Sequence, residues 1–171
     1  MEKINVNQLD HLRVSANVYL LLVEAKIGRN IYPSECETGL MVELAEFLSH
    51  FPKEFKFWRF CEFKELDKKA ALEELSDCIN FMNFIAGNYS YLNDKIDPEN
   101  YIDIDNATIH DIRKLILDSE YNLNARMSAL IFLGFKFGFT WDEIYEATLN
   151  KIAIINERLN NETDEDTYGR K

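Results

Sequence analysis

The stretch Leu72 to Phe84, Leu-Glu-Glu-Leu-Ser-Asp-Cys-Ile-Asn-Phe-Met-Asn-Phe, limits this chain more than any other, because it places two acids where a helix should be apolar. Advancing about 100° per residue, Ala70, Cys78, Phe81 and Ile85 fall on one side of a helix, and Glu74 and Asp77 fall among them. Glu73, Ser76, Asn80 and Asn83 form a separate polar stripe, which reads as a solvated outer face that Glu74 and Asp77 do not use. A carboxylate among buried side chains costs several kcal/mol unless a cation or hydrogen-bond donors compensate it. The stretch therefore needs a partner element that supplies such compensation. Either Glu74 and Asp77 meet Lys or Arg from another helix at the rim of the apolar face, or they belong to a site.

A second acidic pair lies upstream. Leu40, Leu44, Phe47, Leu48 and Phe51 share one helical face, with Glu43 and Glu46 at i and i+3 beside it. Two such pairs on two helices can point four carboxylates into one gap, an oxygen-rich site suited to a hard divalent cation such as Mg2+.

The rest of the chain reads as helices. Residues 7 to 27 carry Leu9, Leu12, Ala16, Tyr19, Leu20 and Val23 at helical spacing, with Gly28 at the C-terminal turn. Ser34 and Glu37 match a capping box, so a second helix is expected from about 35, ending before Pro52. A third helix is expected over about 67 to 87, closed by Gly87, and residues 88 to 104 have the composition of a loop or lid. Ile109, Ile112, Leu115 and Ile116 mark a fourth helix. Ala125 to Phe137 is apolar almost all round, which fits either a central helix or a subunit interface. Thr140 and Glu143 form a further capping box, opening a last helix to about Asn160 with Trp141, Ile144, Ala147, Ile152 and Ile155 on its apolar side. The expected fold is all-α, a bundle of five to six helices, in one domain over 1–171 with a flexible, polar tail from about 161.

The formal net charge of −11 disfavours nucleic acid or an anionic membrane as partner, and obliges an anionic substrate to come with bridging cations or a local basic patch. Cys36, Cys61 and Cys78 have neither zinc-ligand spacing nor an even count for a disulfide framework, so reduced thiols and a cytoplasmic protein are expected. No apolar run has the length of a membrane span, and no signal peptide opens the chain. His11, His50 and His110 are scattered, and neither a GxSxG nor a P-loop pattern occurs.

Three blocks carry a family resemblance: Met41-Val-Glu-Leu-Ala-Glu46 with Phe55-Lys-Phe-Trp58, then Leu72-Glu-Glu-Leu-Ser-Asp77, then Gly138-Phe-Thr-Trp-Asp-Glu-Ile144 through Lys151 and Arg158. In type and spacing they resemble the all-α dimeric dUTP pyrophosphatases, within the wider MazG-like family of nucleoside triphosphate pyrophosphatases, over most of residues 7 to 158. The resemblance implies a homodimer that hydrolyses a deoxyribonucleoside triphosphate, with Glu43, Glu46, Glu74 and Asp77 carrying two or more Mg2+ ions. It implies Glu46 or Glu43 as the acid acting on the attacking water, Glu46 being preferred, and Lys56, Trp58, Asn80, Lys151 and Arg158 on the substrate side. Two departures stand out. The first helix has Ser15 and Asn17 where the family has a base-holding Gln, which leaves dCTP or another nucleotide open beside dUTP. In the last helix Ile155 stands where the family has Asn, with Asn156 one residue later, and Tyr168-Gly169 reverses the family's order. A catalytically silent dimeric interaction module is compatible with those departures, and Lys151 and Arg158 also fit as cations favoured near a helix C-terminus.

Overall fold

The computed structural model describes residues 4–51, 66–88 and 106–161, which form six helices: α1 (Val6–Ile27), α2 (Pro33–Ser49), α3 (Lys68–Asn88), α4 (Ile109–Leu117), α5 (Leu123–Lys136) and α6 (Trp141–Asn161). No strand occurs among the described residues, as expected of an all-α chain. Lys56 and Trp58, the loop expected beyond residue 88 and the tail beyond residue 161 lie outside the described residues.

Local signals set most helix ends. The Asn5 side chain accepts from the Asn7 and Gln8 amides at the start of α1, and Gly28 ends it with φ +71°, a left-handed conformation that a Cβ would penalise. Asp67 accepts from the Ala70 amide at 3.0 Å to open α3. The Thr140–Glu143 box forms as expected: Glu143 accepts from the Thr140 amide at 2.7 Å, and the Thr140 hydroxyl accepts from the Glu143 amide at 3.2 Å.

At two helix ends the structure differs from expectation. The Ser34–Glu37 box does not form. Instead α2 begins at Pro33, whose missing N–H suits a first turn, and Glu35 accepts from the Tyr32 amide at 2.9 Å. Glu37 is drawn away by a stronger partner: Arg126 of α5 donates to its two carboxylate oxygens at 2.7 and 2.6 Å. The other exception is Gly87, which lies inside α3 rather than closing it. A Cβ there would come within 2.0 Å of the Asn17 side-chain oxygen, so the glycine serves the close approach of α1 to α3.

α3 is the hub, touching α1, α2, α5 and α6, with its most extensive contact to α2. Gly39 of α2 faces Phe81 of α3 so closely that an added Cβ would lie 2.3 Å from the ring. α4 and α5 form a hairpin joined by the Arg126 Nε–H, which donates to the Ile116 carbonyl at 2.7 Å. α5 is buried from Ala125 to Gly134, so its all-round apolar character belongs to a central helix inside one chain rather than to a subunit surface. α6 lies parallel to α1: the Trp141 Nε1–H donates to the Gln8 Oε1 at 2.6 Å, and Lys26 Nζ donates to the Leu159 carbonyl at 2.7 Å. α1 therefore buries Leu9, Leu12, Ala16 and Leu20 while leaving Val14, Val18, Leu21 and Leu22 exposed on its outer side.

The most consequential correction concerns the polar stripe of α3. Ser76, Asn80 and Asn83 are buried, at 1%, 2% and 0% exposure, and only Glu73 faces solvent. The reason is the number of neighbours. A helix packed on four others has no broad solvated face, so polar residues spaced as an outer stripe become interior ones.

Candidate metal and nucleotide site

The close approach of Gly39 to Phe81 brings the next turn of α2 against the middle of α3. There Glu43, Glu46 and Glu74 each offer a carboxylate oxygen, and the three oxygens lie within 4.8 Å of one another. Glu43 and Glu74 are half-buried and Glu46 is exposed. None of the three takes part in a salt bridge among the described residues. Like charges this close disfavour ionisation. Burial first, and then the charges of Asp77, Glu46 and Glu74, push the Glu43 carboxyl up to about 7. Burial likewise pushes up the thiol of Cys78, which lies fully buried beside these acids, so it behaves as a small apolar group rather than a nucleophile.

The fourth acid takes a different partner. Asp77 stands about 60° around α3 from Glu74, as i and i+3 residues do, and that offset turns it toward α6. Its Oδ2 lies 2.6 Å from Lys151 Nζ, with the two side chains 20% and 23% exposed. Of the four acids expected in one gap, three converge and the fourth is ion-paired. For Asp77 the rim ion pair offered by the sequence is thus realised. Its carboxyl is nonetheless raised, because burial outweighs the stabilising hydrogen bond and charge of Lys151.

Lys151 also lines a cavity of about 620 Å3 between α3 and α6, together with Lys69, Leu72, Glu73, Ile154 and Arg158. The cavity does not include the three converging carboxylates, and the Asp77–Lys151 pair is what joins the two. Arg158 is exposed at its far end. Asn80, one turn beyond Asp77, is buried with neither amide atom hydrogen-bonded among the described residues, and Asn83 shares that condition. Buried carboxamides without partners are uncommon. Asn17 is half-buried against Gly87, with its side-chain oxygen unpartnered among the described residues. Ile155 and Asn156 are half-buried, and the Asn156 side-chain oxygen has no partner among the described residues.

Sequence reasoning missed the Arg126–Glu37 pair, and it offered an ion pair for Asp77 without naming Lys151 as the partner. A signal for the first was present: one arginine in a segment apolar all round must bring a carboxylate inside with it.

A search among curated proteins returns no match. A family model described as dUTPase matches residues 14–162, a span that contains the acidic pairs of α2 and α3 and the whole of α6. The all-helical architecture is the one that family has. The chain therefore belongs to the all-α dUTPase family, and its activity is that of a dUTP diphosphatase, converting dUTP to dUMP and pyrophosphate.

Proposed function

We propose that this hydrolysis depends on Mg2+, with Glu43, Glu46, Glu74 and Asp77 holding two or more ions and Glu46 orienting the attacking water. The observation that carries the reading is the convergence of the Glu43, Glu46 and Glu74 oxygens within 4.8 Å, with no salt bridge from a Lys or Arg among the described residues. A set made only of carboxylate oxygens fits a hard divalent cation and suits softer metals poorly. When bound, Mg2+ supplies positive charge against the triphosphate and acidifies a water molecule. The residues do the rest. Glu46, the most exposed of the three, faces the solvent from which the water comes, and it accepts a hydrogen bond that aims the water at the α-phosphorus. Lys151 and Arg158, both on the wall of the 620 Å3 cavity, bind phosphate oxygens. Asn80 offers an amide whose donor and acceptor have no partner among the described residues, which suits the base or sugar. Lys56 and Trp58 are assigned to the substrate side on the family motif alone.

The working unit in this reading is a cytoplasmic homodimer, each chain one domain over 1–171. The exposed apolar stripe of α1, Val14, Val18, Leu21 and Leu22, supports a self-association surface. One observation favours a reducing setting: Cys36 and Cys78 are free thiols among the described residues.

The test is pyrophosphate release from a panel of nucleoside triphosphates with Mg2+ and with chelator, on the unmodified chain and on Glu46→Gln. The expected result is Mg2+-dependent cleavage of dUTP that falls by roughly 100-fold or more in the variant. Full activity in chelator would overturn the metal assignment, and an unimpaired Glu46→Gln would remove Glu46 from its role. Light scattering that shows only a 20.1 kDa species would overturn the dimer.

A further inference from the structure

Asp77 sits where two demands meet. On one side are the acids of α2 and α3, and on the other is Lys151, whose ammonium lies 2.6 Å from its Oδ2 and which also lines the cavity between α3 and α6. Lys151 is the sole described cation paired with any of the four acids. A carboxylate oxygen bound closely by an ammonium is not available in the same geometry to a divalent cation. An ammonium held on a carboxylate is equally unavailable to a phosphate. Lysine is the side chain suited to exchange such partners, since its charge is compact and its four-carbon stem flexible, whereas an arginine fork would clamp the carboxylate through two bonds.

We infer that Lys151 is a resident counter-ion for Asp77 that holds this acid out of the metal set until a divalent cation displaces it, and that the displaced ammonium then turns to the phosphates in the adjacent cavity. The inference rests on the metal-site reading given above. It makes Lys151 a positioning residue that acts through Asp77 before it meets substrate. One side chain then couples two binding events. By linkage, whatever metal gains from the release of Lys151 to phosphate, phosphate gains from metal. The competing view, a fixed pin between α3 and α6, makes Lys151 matter for stability and gives it no specific hold on metal affinity.

Calorimetric titration of the nucleotide-free protein with Mg2+ alone separates the two, with thermal melts run beside it. Lys151→Gln is expected to bind Mg2+ roughly 5-fold or more tightly than the unmodified chain, within the usual range of couplings between sites. Removing any nearby positive charge tightens cation binding a little, so Arg158→Gln serves as the control and is expected to have a clearly smaller effect. Placing Lys151→Gln in an Asp77→Asn background should abolish its effect, because the carboxylate it shields is gone. Lys151→Arg, which keeps the charge, should weaken Mg2+ binding, and this variant carries the test if Lys151→Gln does not fold. Unchanged or weaker Mg2+ binding by Lys151→Gln, an equal effect from Arg158→Gln, or an effect that persists in Asp77→Asn each overturns the inference. An absence of Mg2+ binding in the unmodified chain and every variant overturns instead the metal-site reading on which it rests.

Discussion

Helix α2 carries two acidic positions less than two turns apart, and the surroundings treat them in opposite ways. Glu37 is met by the fully buried guanidinium of Arg126, which donates to both its oxygens and also to the Ile116 carbonyl. Glu43 is met by Glu74, beside Glu46, with no cation answering any of them among the described residues. Each arrangement places a carboxylate in a setting where charge is expensive. At Glu37 the charge is compensated within the chain, and the result holds α2, α4 and α5 together. At Glu43 no such compensation comes from the described residues. Side by side on one helix, the two contrast a charge compensated for the fold with one that the proposed function leaves to a metal ion.

Variants that exchange these behaviours test the contrast, and the largest effect is expected on catalysis. Glu43→Gln removes a repelled charge while nearly keeping shape, so the metal-free protein should melt at the same or a higher temperature. Its pyrophosphate release from dUTP should fall by roughly 100-fold or more. A variant that melts lower and keeps its activity would place Glu43 with Glu37 on the structural side.

The next effect is on stability. Arg126→Met strands the Glu37 carboxylate and should cost about 3–5 kcal/mol in denaturant unfolding, with much of the loss recovered when Glu37→Leu is added. Additive losses in that double variant would show that the pair is not a unit. Gly39→Ala should cost about 1–3 kcal/mol, because its Cβ meets the Phe81 ring at 2.3 Å and must push α2 from α3. The same variant should bind Mg2+ more weakly, since the carboxylates converge only because the helices approach there. Titration calorimetry that returned an unchanged affinity would detach the acidic gap from this contact.

The smallest effect is a pH dependence. Glu43 holds its proton up to about 7 in the folded chain, against a usual 4.5. A raised carboxyl pKa means that the folded state binds the proton more tightly than the unfolded state does. The stability from this group is then fully present below 4.5 and is lost as pH rises through about 7. The metal-free melting temperature should fall across that window. Saturating Mg2+ or Glu43→Gln should flatten this contribution, and a slope that survives both would assign it to another group.

Local chemistry made much of the fold legible. Gly28 at a left-handed C-terminus and the Thr140–Glu143 box are set by neighbours in sequence, and both form. Ser34–Glu37 obeys the same local rule and fails, because Glu37 has a bidentate partner 89 residues away that no local pattern encodes. Periodicity tells which residues of α3 share a side but not how many helices surround it, so Ser76, Asn80 and Asn83 read as solvated and yet lie inside. At the site, the two ExxE/D pairs showed where acids would meet. The i, i+3 offset between Glu74 and Asp77 already separates them by about 60°. Only the position of α6 decides that this offset delivers Asp77 to Lys151.

The parallel seating of α1 on α6 has a consequence for how the chain is made. The contacts from Gln8 to Trp141 and from Lys26 to Leu159 each span 133 residues, and that from His11 to Tyr145 spans 134. During synthesis α1 emerges before α6, yet this seat exists only after α6 has left the ribosome. Until then the faces that carry Trp141 and Tyr145 are missing, and α1 shows apolar residues on two sides, the buried Leu9, Leu12 and Ala16 and the outward Val14, Val18 and Leu21. Long-range closure of this kind slows folding and lengthens the time for which sticky surface is exposed. The nascent chain is thus most vulnerable along α1, and α6 is what ends the exposure.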